Sequence, residues 1–260
     1  VYKRQNRLFV AGTSDDSVAA HDGDTLEELK RIPLGPPAKR TSRQLGEELF
    51  YDARLSLDGW YSCHSCHSDG HSTGRLNDNF SDHSFGTPKR ILSLLGVADT
   101  KPWAWDGSQP SLEAQVESSI RQTMSGPGKG GPTVTEQNVK ALAEFLRSLP
   151  PAPSVTVARG EVDAKAVRRG RQVFSDHGCA ECHRPSTLTS PATFDVGLHD
   201  ATGLKEFNPP SLRGLSQRGP YFHDNRATTL RELIDKHDHD GASSLSKPEK
   251  RDLLEFLKSL

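Results

Sequence analysis

Two short stretches constrain this chain more than anything else in it: "CHSCH" at residues 63–67 and "CAECH" at 179–183. They hold all four cysteines of the 260 residues: Cys63, Cys66, Cys179 and Cys182. Both stretches fit C-x-x-C-H, the attachment signature of c-type haem. The spacing has a chemical reason. Each sulfur adds across one haem vinyl group, and two intervening residues on a helical turn let both sulfurs reach one porphyrin edge. The next residue, His67 or His183, then turns its imidazole to the iron. A Cys2His2 zinc site would need a second ligand pair at short range. His71 could complete such a site for the first motif, but the second has no counterpart. A redox C-x-x-C disulfide has no use for the trailing histidine. The expectation is two covalently attached haem c groups.

Composition fits a chain wrapped around large apolar cofactors. Hydrophobic residues make up only 33%, and 22 glycines and 17 prolines imply much loop. The net charge of −1 gives no footprint for nucleic acid. No apolar run is long enough to span a membrane. Because c-type haem is attached outside the cytoplasm, the expected location is periplasmic or otherwise exported. The chain opens "VYKRQNRLFVAG", with neither an initiator Met nor a signal peptide, and "VYKRQ" resembles translated adapter sequence. We therefore expect the C-terminal part of a longer protein.

The haem motifs sit in a duplicated context. "GEELF" (46–50) precedes the first and "GRQVF" (170–174) the second, while "AEFLRSL" (143–149) and "LEFLKSL" (254–260) close the two halves. The closing segments carry apolar residues at helical spacing: Leu142, Phe145 and Leu146, then Leu253, Phe256 and Leu257. Capping boxes are expected at Thr133/Glu136 and Ser246/Glu249. "LPPAP" (149–153) reads as the linker, since consecutive prolines cannot continue a helix. The fold class expected is mainly α: two tandem cytochrome c-like domains, at 39–150 and 151–260, preceded by a short β segment at 1–38. In that segment "RLFVAG" and "SVAAHD" read as strands around the turn signal "TSDD". It resembles one blade of a YVTN-type β-propeller, a repeat that needs neighbours to bury its faces.

Further stretches extend the pattern: "GEELFYDARLS", "SFGTPKRILSLLG", "WAWDGSQPSLEAQ" and "NPPSLRGLSQRGPYFHDNRATTLREL". With the haem motifs, this ordered set resembles the bacterial di-haem cytochrome c peroxidase/MauG family over residues 43–260. The resemblance implies a first haem that meets peroxide and a second that passes electrons. It implies that Trp105 bridges them, although a core aromatic is the plainer reading of a tryptophan there. It implies that Gln115 lines the distal pocket, against the alternative of an exposed helix glutamine, and that Arg213 of "SLRG" contacts cofactor. His83 matches the family's labile distal histidine. Geometry favours it over His71, since the four residues from His67 to His71 span at most about 14 Å and cannot round the porphyrin. For the second haem, His237 stands where the family has its distal ligand, with His239 two residues on. His223 reads as a residue behind the haem contacts, and Met124 as a pocket neighbour rather than a ligand.

One departure bears on chemistry. The family's peroxidases carry a glutamate just before the position of Met124, and here that residue is Thr123, which removes a group able to move protons. Calcium is a further candidate cofactor, with no residue here matched to its site. Two functions follow. One is a peroxidase-type oxidoreductase using hydrogen peroxide and a small redox protein or quinol-linked donor. The other is a non-enzymatic electron-transfer module with both haems six-coordinate, by His67/His83 and His183/His237. A haem-based sensor has nothing specific in its favour.

Overall fold

The computed structural model describes residues 2–4, 6–12, 15–36, 39–78, 85–125 and 133–260. His83 lies outside them.

The chain begins as a four-stranded antiparallel meander, β1 (Tyr2–Arg4), β2 (Arg7–Gly12), β3 (Ser17–Asp22) and β4 (Glu28–Pro33), ordered β1-β2-β3-β4. The β2–β3 register pairs Phe9 with Ala20 and Val10 with Ala19. The Asp22 carboxylate accepts from the amides of Asp24 and Thr25 and so shapes the turn into β4. Strands β2 and β3 coincide with the two expected runs, while β1 falls where no strand was expected. The sheet is open, and Leu29 and Ile32 of β4 remain exposed.

Two helical regions follow, each with its own hydrophobic core. The first crosses α1 (Ser42–Tyr51) with α4 (Glu136–Ser148), and between them lie α2 (Cys63–Cys66), β5 (Leu76–Asn77), β6 (Lys89–Arg90) and α3 (Leu112–Ser118). The second crosses α6 (Ala164–Asp176) with α9 (Lys247–Lys258). It encloses α7 (Cys179–Cys182), β7 (Phe194–Asp195), β8 (Glu206–Phe207) and α8 (Leu230–Lys236), and the short α5 (Val155–Ala158) precedes it. Both crossings depend on a glycine. A Cβ on Gly46 would overlap the Ala141 carbonyl, and one on Gly170 would overlap the Asp252 carbonyl. One turn further on, Phe50 meets Phe145 and Phe174 meets Phe256, each with ring centroids 5.3 Å apart. The predicted apolar faces of the closing helices are buried throughout.

The repeat reaches further than the sequence analysis indicated. "WAWDG" (103–107) and "YFHDN" (221–225) fold alike. Ala104 and Phe222 both take left-handed backbone, φ 71° and 67°, as do Gly107 and Asn225. Bridges join Trp103 to Gln109 and Tyr221 to Ala227. By this alignment His223 occupies the place of Trp105.

Capping is half as expected. Ser246 and Glu249 form the full box at α9. At α4 the expectation fails: the cap is Thr135, whose hydroxyl accepts from the Asn138 amide, and not Thr133 with Glu136. The linker is not loose, because Ala152 is buried and Pro151 packs where a Cβ of Gly96 would be.

Candidate di-haem site

The two C-x-x-C-H motifs adopt one geometry. Each cysteine pair brackets a single helical turn, and the histidine amide donates to the first cysteine's carbonyl at 2.9 Å in both. Ser62 opens the first turn, its amide donating to the Ser65 hydroxyl at 3.1 Å. Gly178 opens the second in left-handed backbone, φ 76°. All four cysteines are free. Cys63 is only half-buried because it borders a cavity, yet protein surrounds it so densely that burial pushes its thiol up to about 12. Burial raises Cys66, Cys179 and Cys182 as well. Thiols so reluctant to ionise are poor zinc ligands and poor redox nucleophiles. No group of three or more His, Cys, Asp or Glu side chains suited to a metal ion occurs among the described residues.

Both motif histidines are neutral bases. Burial brings His67 down to about 4, against a slight opposite pull from the nearby backbone of His71 and Leu92. His183 also falls to about 4, through burial first and the neighbouring His239 second. The Nδ1 of His183 lies 3.2 Å from the Leu188 carbonyl, which fixes that nitrogen as the donor and leaves Nε2 with its lone pair for a metal. The Nδ1 of His67 is buried with no hydrogen-bond partner of good geometry.

A cavity of about 310 Å³ opens beside His67. Cys63, Cys66, Trp103, Trp105, Gln115, Thr123 and Met124 border it, and the second region contributes Asn208, Pro209, Ser211 and Arg218. Gln115 projects from α3 and donates its amide to the Ser119 hydroxyl at 3.0 Å. Helix α3 continues as a π-turn over Ser119–Met124, a form often found at functional sites. Tyr61, which no motif singles out, lies on the wall and donates its hydroxyl to the Thr123 carbonyl at 2.7 Å. Met124 is buried in the first core. Among the described lining residues, Asp106 is the only carboxylate.

Trp105 sits where the two regions meet. Its indole N–H donates to the Arg90 carbonyl at 2.9 Å, and its own carbonyl accepts from the Asn208 amide at 2.8 Å. Its ring stands edge-on to Phe207 and His223 of the second region, at 6.4 and 6.3 Å. Those two rings stack at 4.5 Å, and His223 is buried. Arg213 is fully engaged elsewhere: its guanidinium takes both oxygens of Asp99, at 2.7 and 3.0 Å, and the Ser186 carbonyl.

Beyond α8 the backbone turns sharply through left-handed residues at Asp238, Asp240 and Gly241. This turn brings both His237 and His239 edge-on against Phe222, each ring 5.6 Å from it. His239 also faces His183, with ring centroids 6.4 Å apart. Both histidines present a buried nitrogen without a partner: Nε2 of His237 and Nδ1 of His239.

Free, protonated cysteine pairs, neutral buried imidazoles and orphaned ring nitrogens are what two c-type haems require, and these residues fit them. Fold and site together define a di-haem oxidoreductase of the c-type cytochrome class. Comparison with known proteins sharpens this. Residues 40–150 match the family of di-haem cytochrome c peroxidases, and residues 167–260 match cytochrome c. The chain therefore carries a di-haem cytochrome c peroxidase domain followed by a cytochrome c domain. It is similar to the methylamine utilization protein MauG of Methylorubrum extorquens, 29% identical over 88% of this chain and 80% of that one. It is also similar to the cytochrome c551 peroxidase of Nitrosomonas europaea, 25% identical over 90% and 84%. Among solved structures, a chain of Kuenenia stuttgartiensis hydrazine synthase superposes with a TM-score of 0.72 at 26% identity, covering 86% of this chain and 89% of that one.

Proposed function

We propose that this chain is an exported oxidoreductase that reacts with hydrogen peroxide at the first haem and draws electrons through the second. Cys63, Cys66 and His67 hold the first haem, and Cys179, Cys182 and His183 the second. The observation that carries the reading is Trp105. It borders the first cavity and meets the stacked His223–Phe207 pair of the second region, so aromatic rings run without a break across the seam. Haem at His67 supplies the redox centre for O–O cleavage. Gln115, held by Ser119, orients a ligand in the cavity, and Trp103 and Met124 exclude water. With Thr123 in place of the family's glutamate, Asp106 takes over the movement of protons. His83, outside the described residues, would be the displaceable ligand that the family resemblance implies for this haem.

For the second haem the geometry favours His239 over His237. His239 faces His183 with ring centroids 6.4 Å apart, whereas His237 has no such contact among those described, so His183 and His239 would be the pair to hold this haem's metal. A His/His pair at that haem sets a lower potential than His/Met. The electron donor is a small redox protein, a cytochrome by analogy with the name of the Nitrosomonas relative, or a quinol-linked carrier. No described helix is long and apolar enough to cross a membrane. Export follows from covalent haem attachment. The N-terminal sheet reads as one propeller blade whose exposed strand β4 packs on a neighbouring blade. Calcium has no part in this reading.

The test is a stopped-flow absorbance trace of haem-loaded protein with only the second haem reduced, mixed with H2O2. Fast, stoichiometric oxidation of that haem supports the reading. A silent trace would shift it to a pure electron-transfer module, which Thr123 favours.

A further inference from the structure

Two arginines meet at the seam between the regions, and both are buried: Arg90 is 6% exposed and Arg218 7%. They clasp each other's half of the molecule. The Arg90 guanidinium donates to the carbonyls of Arg218 at 3.0 Å and Phe222 at 3.3 Å, and its backbone amide to the His223 carbonyl at 2.6 Å. The Arg218 guanidinium donates to Leu95 in the first region at 3.1 Å and to Ser211 at 2.9 Å. Every one of these acceptors is a neutral carbonyl. Neither arginine makes an ion pair with a carboxylate among the described residues, and the Nε of Arg218 is buried without any partner. Burial lowers both guanidiniums to about 10, and the charge of Arg90 adds to the effect on Arg218. His71 lies close enough that both cations depress its basicity further, after burial, and its Nδ1 too is buried and unpartnered.

Two like charges buried together without a counter-ion are unfavourable, and the Trp105 ring 5.7 Å from the Arg90 guanidinium offsets only part of that for one of them. The other charged groups at the seam are balanced: Arg213 by Asp99, and Lys89 by Asp200 at 3.0 Å. Arg90 and Arg218 both border the cavity beside His67. The missing anion must therefore come from what fills that cavity. An arginine pair with a planar fork of donors suits a carboxylate.

We propose that Arg90 and Arg218 together bind a carboxylate, a propionate of the first haem, with His71 as a further donor, so that seating this haem closes the seam between the two regions. The inference rests on the haem reading of the first motif. Arg218 thereby takes the cofactor contact that the sequence had suggested for Arg213.

The experiment uses the full haem-loaded chain. Counting covalent haems by mass tests the haem reading by itself: two are expected, and a wild-type chain without the first would remove the ligand. Given two haems, Arg90→Met and Arg218→Met should each lower the reduction potential of the first haem, leave that of the second in place, and shift the propionate bending band of the first haem in resonance Raman. Unmoved potentials and an unmoved band would overturn the proposal. A free anion is the rival occupant: if acetate at constant ionic strength shifts the wild-type potential of the first haem and the Met variants abolish that shift, the pocket takes a free carboxylate and the propionate assignment fails. Should the Met variants not load haem, the wild type decides alone, since a propionate band that acetate displaces would equally overturn it.

Discussion

The two haem regions share a frame and differ in what they bring to the open side of the cofactor. Gly46 and Gly170, Phe50 and Phe174, and the left-handed pairs Ala104/Phe222 and Gly107/Asn225 stand at equivalent places. The frame fixes the helix crossing and the proximal histidine. At the bridging position it holds Trp105 in one region and His223 in the other. After the third helix of each region the two part company. The first runs on as a π-turn past Thr123, while the second breaks into the tight turn that presents His239. On the reading proposed above, the difference separates two tasks: the crossing helices and the C-x-x-C-H turn build a common frame, and one segment per region sets what that frame does.

The largest effect expected strikes the shared frame. Gly46→Ala and Gly170→Ala each drive a methyl into a backbone carbonyl of the partner helix. Neither carbonyl can move without parting the helices, so the cost should be at least about 3 kcal/mol, the upper range for overpacking. Each variant should lose the haem of its own region first, read as a drop in covalent haem per chain. Equal losses would sharpen the comparison, and a tolerated alanine in either region would break it.

Next comes the ligand that separates the regions. His239→Gly should convert the second haem from a six-coordinate to a high-spin spectrum, while His237→Gly leaves it six-coordinate. The reverse pattern would hand the role to His237. No change in either variant would mean that neither histidine is the second ligand, and the proposed contrast between the regions would lose its basis.

How much of this was legible in the sequence depends on the range of the interaction. The haem motifs, the closing helices and the Ser246 cap are local patterns, and each folds as read. The Thr135 cap was missed because the local capping-box pattern, Thr133 with Glu136 three residues on, points two residues upstream, while Thr135 has Asn138 at that spacing and caps through the Asn138 amide. The Arg90–Arg218 clasp had no local signal at all, since its partners lie 128 residues apart. The choice between His237 and His239 stayed open for a similar reason. Spacing places His237 at the end of α8, but the left-handed turn at Asp238 decides which imidazole comes round to face His183.

The seam allows a test of intermediate size. Lys89–Asp200 is a buried pair, with side chains 15% and 4% exposed, whereas Arg213–Asp99 lies near solvent. Asp200→Asn strands a buried ammonium and should cost about 3 kcal/mol. Asp99→Asn should cost less than about 1 kcal/mol. Burial alone would raise the Asp200 carboxyl, but Thr202, Lys89 and the Leu204 amide outweigh it and hold the group at about 2. Its folded value is thus depressed. Its contribution is complete above about pH 4, where the unfolded chain also ionises, and is lost as pH falls through about 2. Thermal unfolding of wild type and Asp200→Asn should therefore converge in acid, and a gap that persists there would remove the ion pair as its cause.

The smallest effect compares the closing helices. Ser246→Ala removes the hydroxyl that accepts from the Glu249 amide at 3.4 Å, while the bond from the Ser246 amide to the Glu249 carboxylate, at 2.9 Å, survives the change. Thr135→Ala removes a hydroxyl that accepts from the Asn138 amide at 3.1 Å and donates to the Asn138 side chain. Both should cost about 1 kcal/mol. Thr135→Ala should be the larger, because its hydroxyl also donates to the Asn138 side chain, whereas the half of the box that Glu249 makes with the backbone at 246 remains. Thr133→Ala should change nothing measurable, since the helix starts after it. Chemical denaturation of the haem-loaded variants checks all three. If Thr133→Ala proved as costly as Thr135→Ala, helix α4 would begin two residues earlier, and the two closing helices would be capped alike.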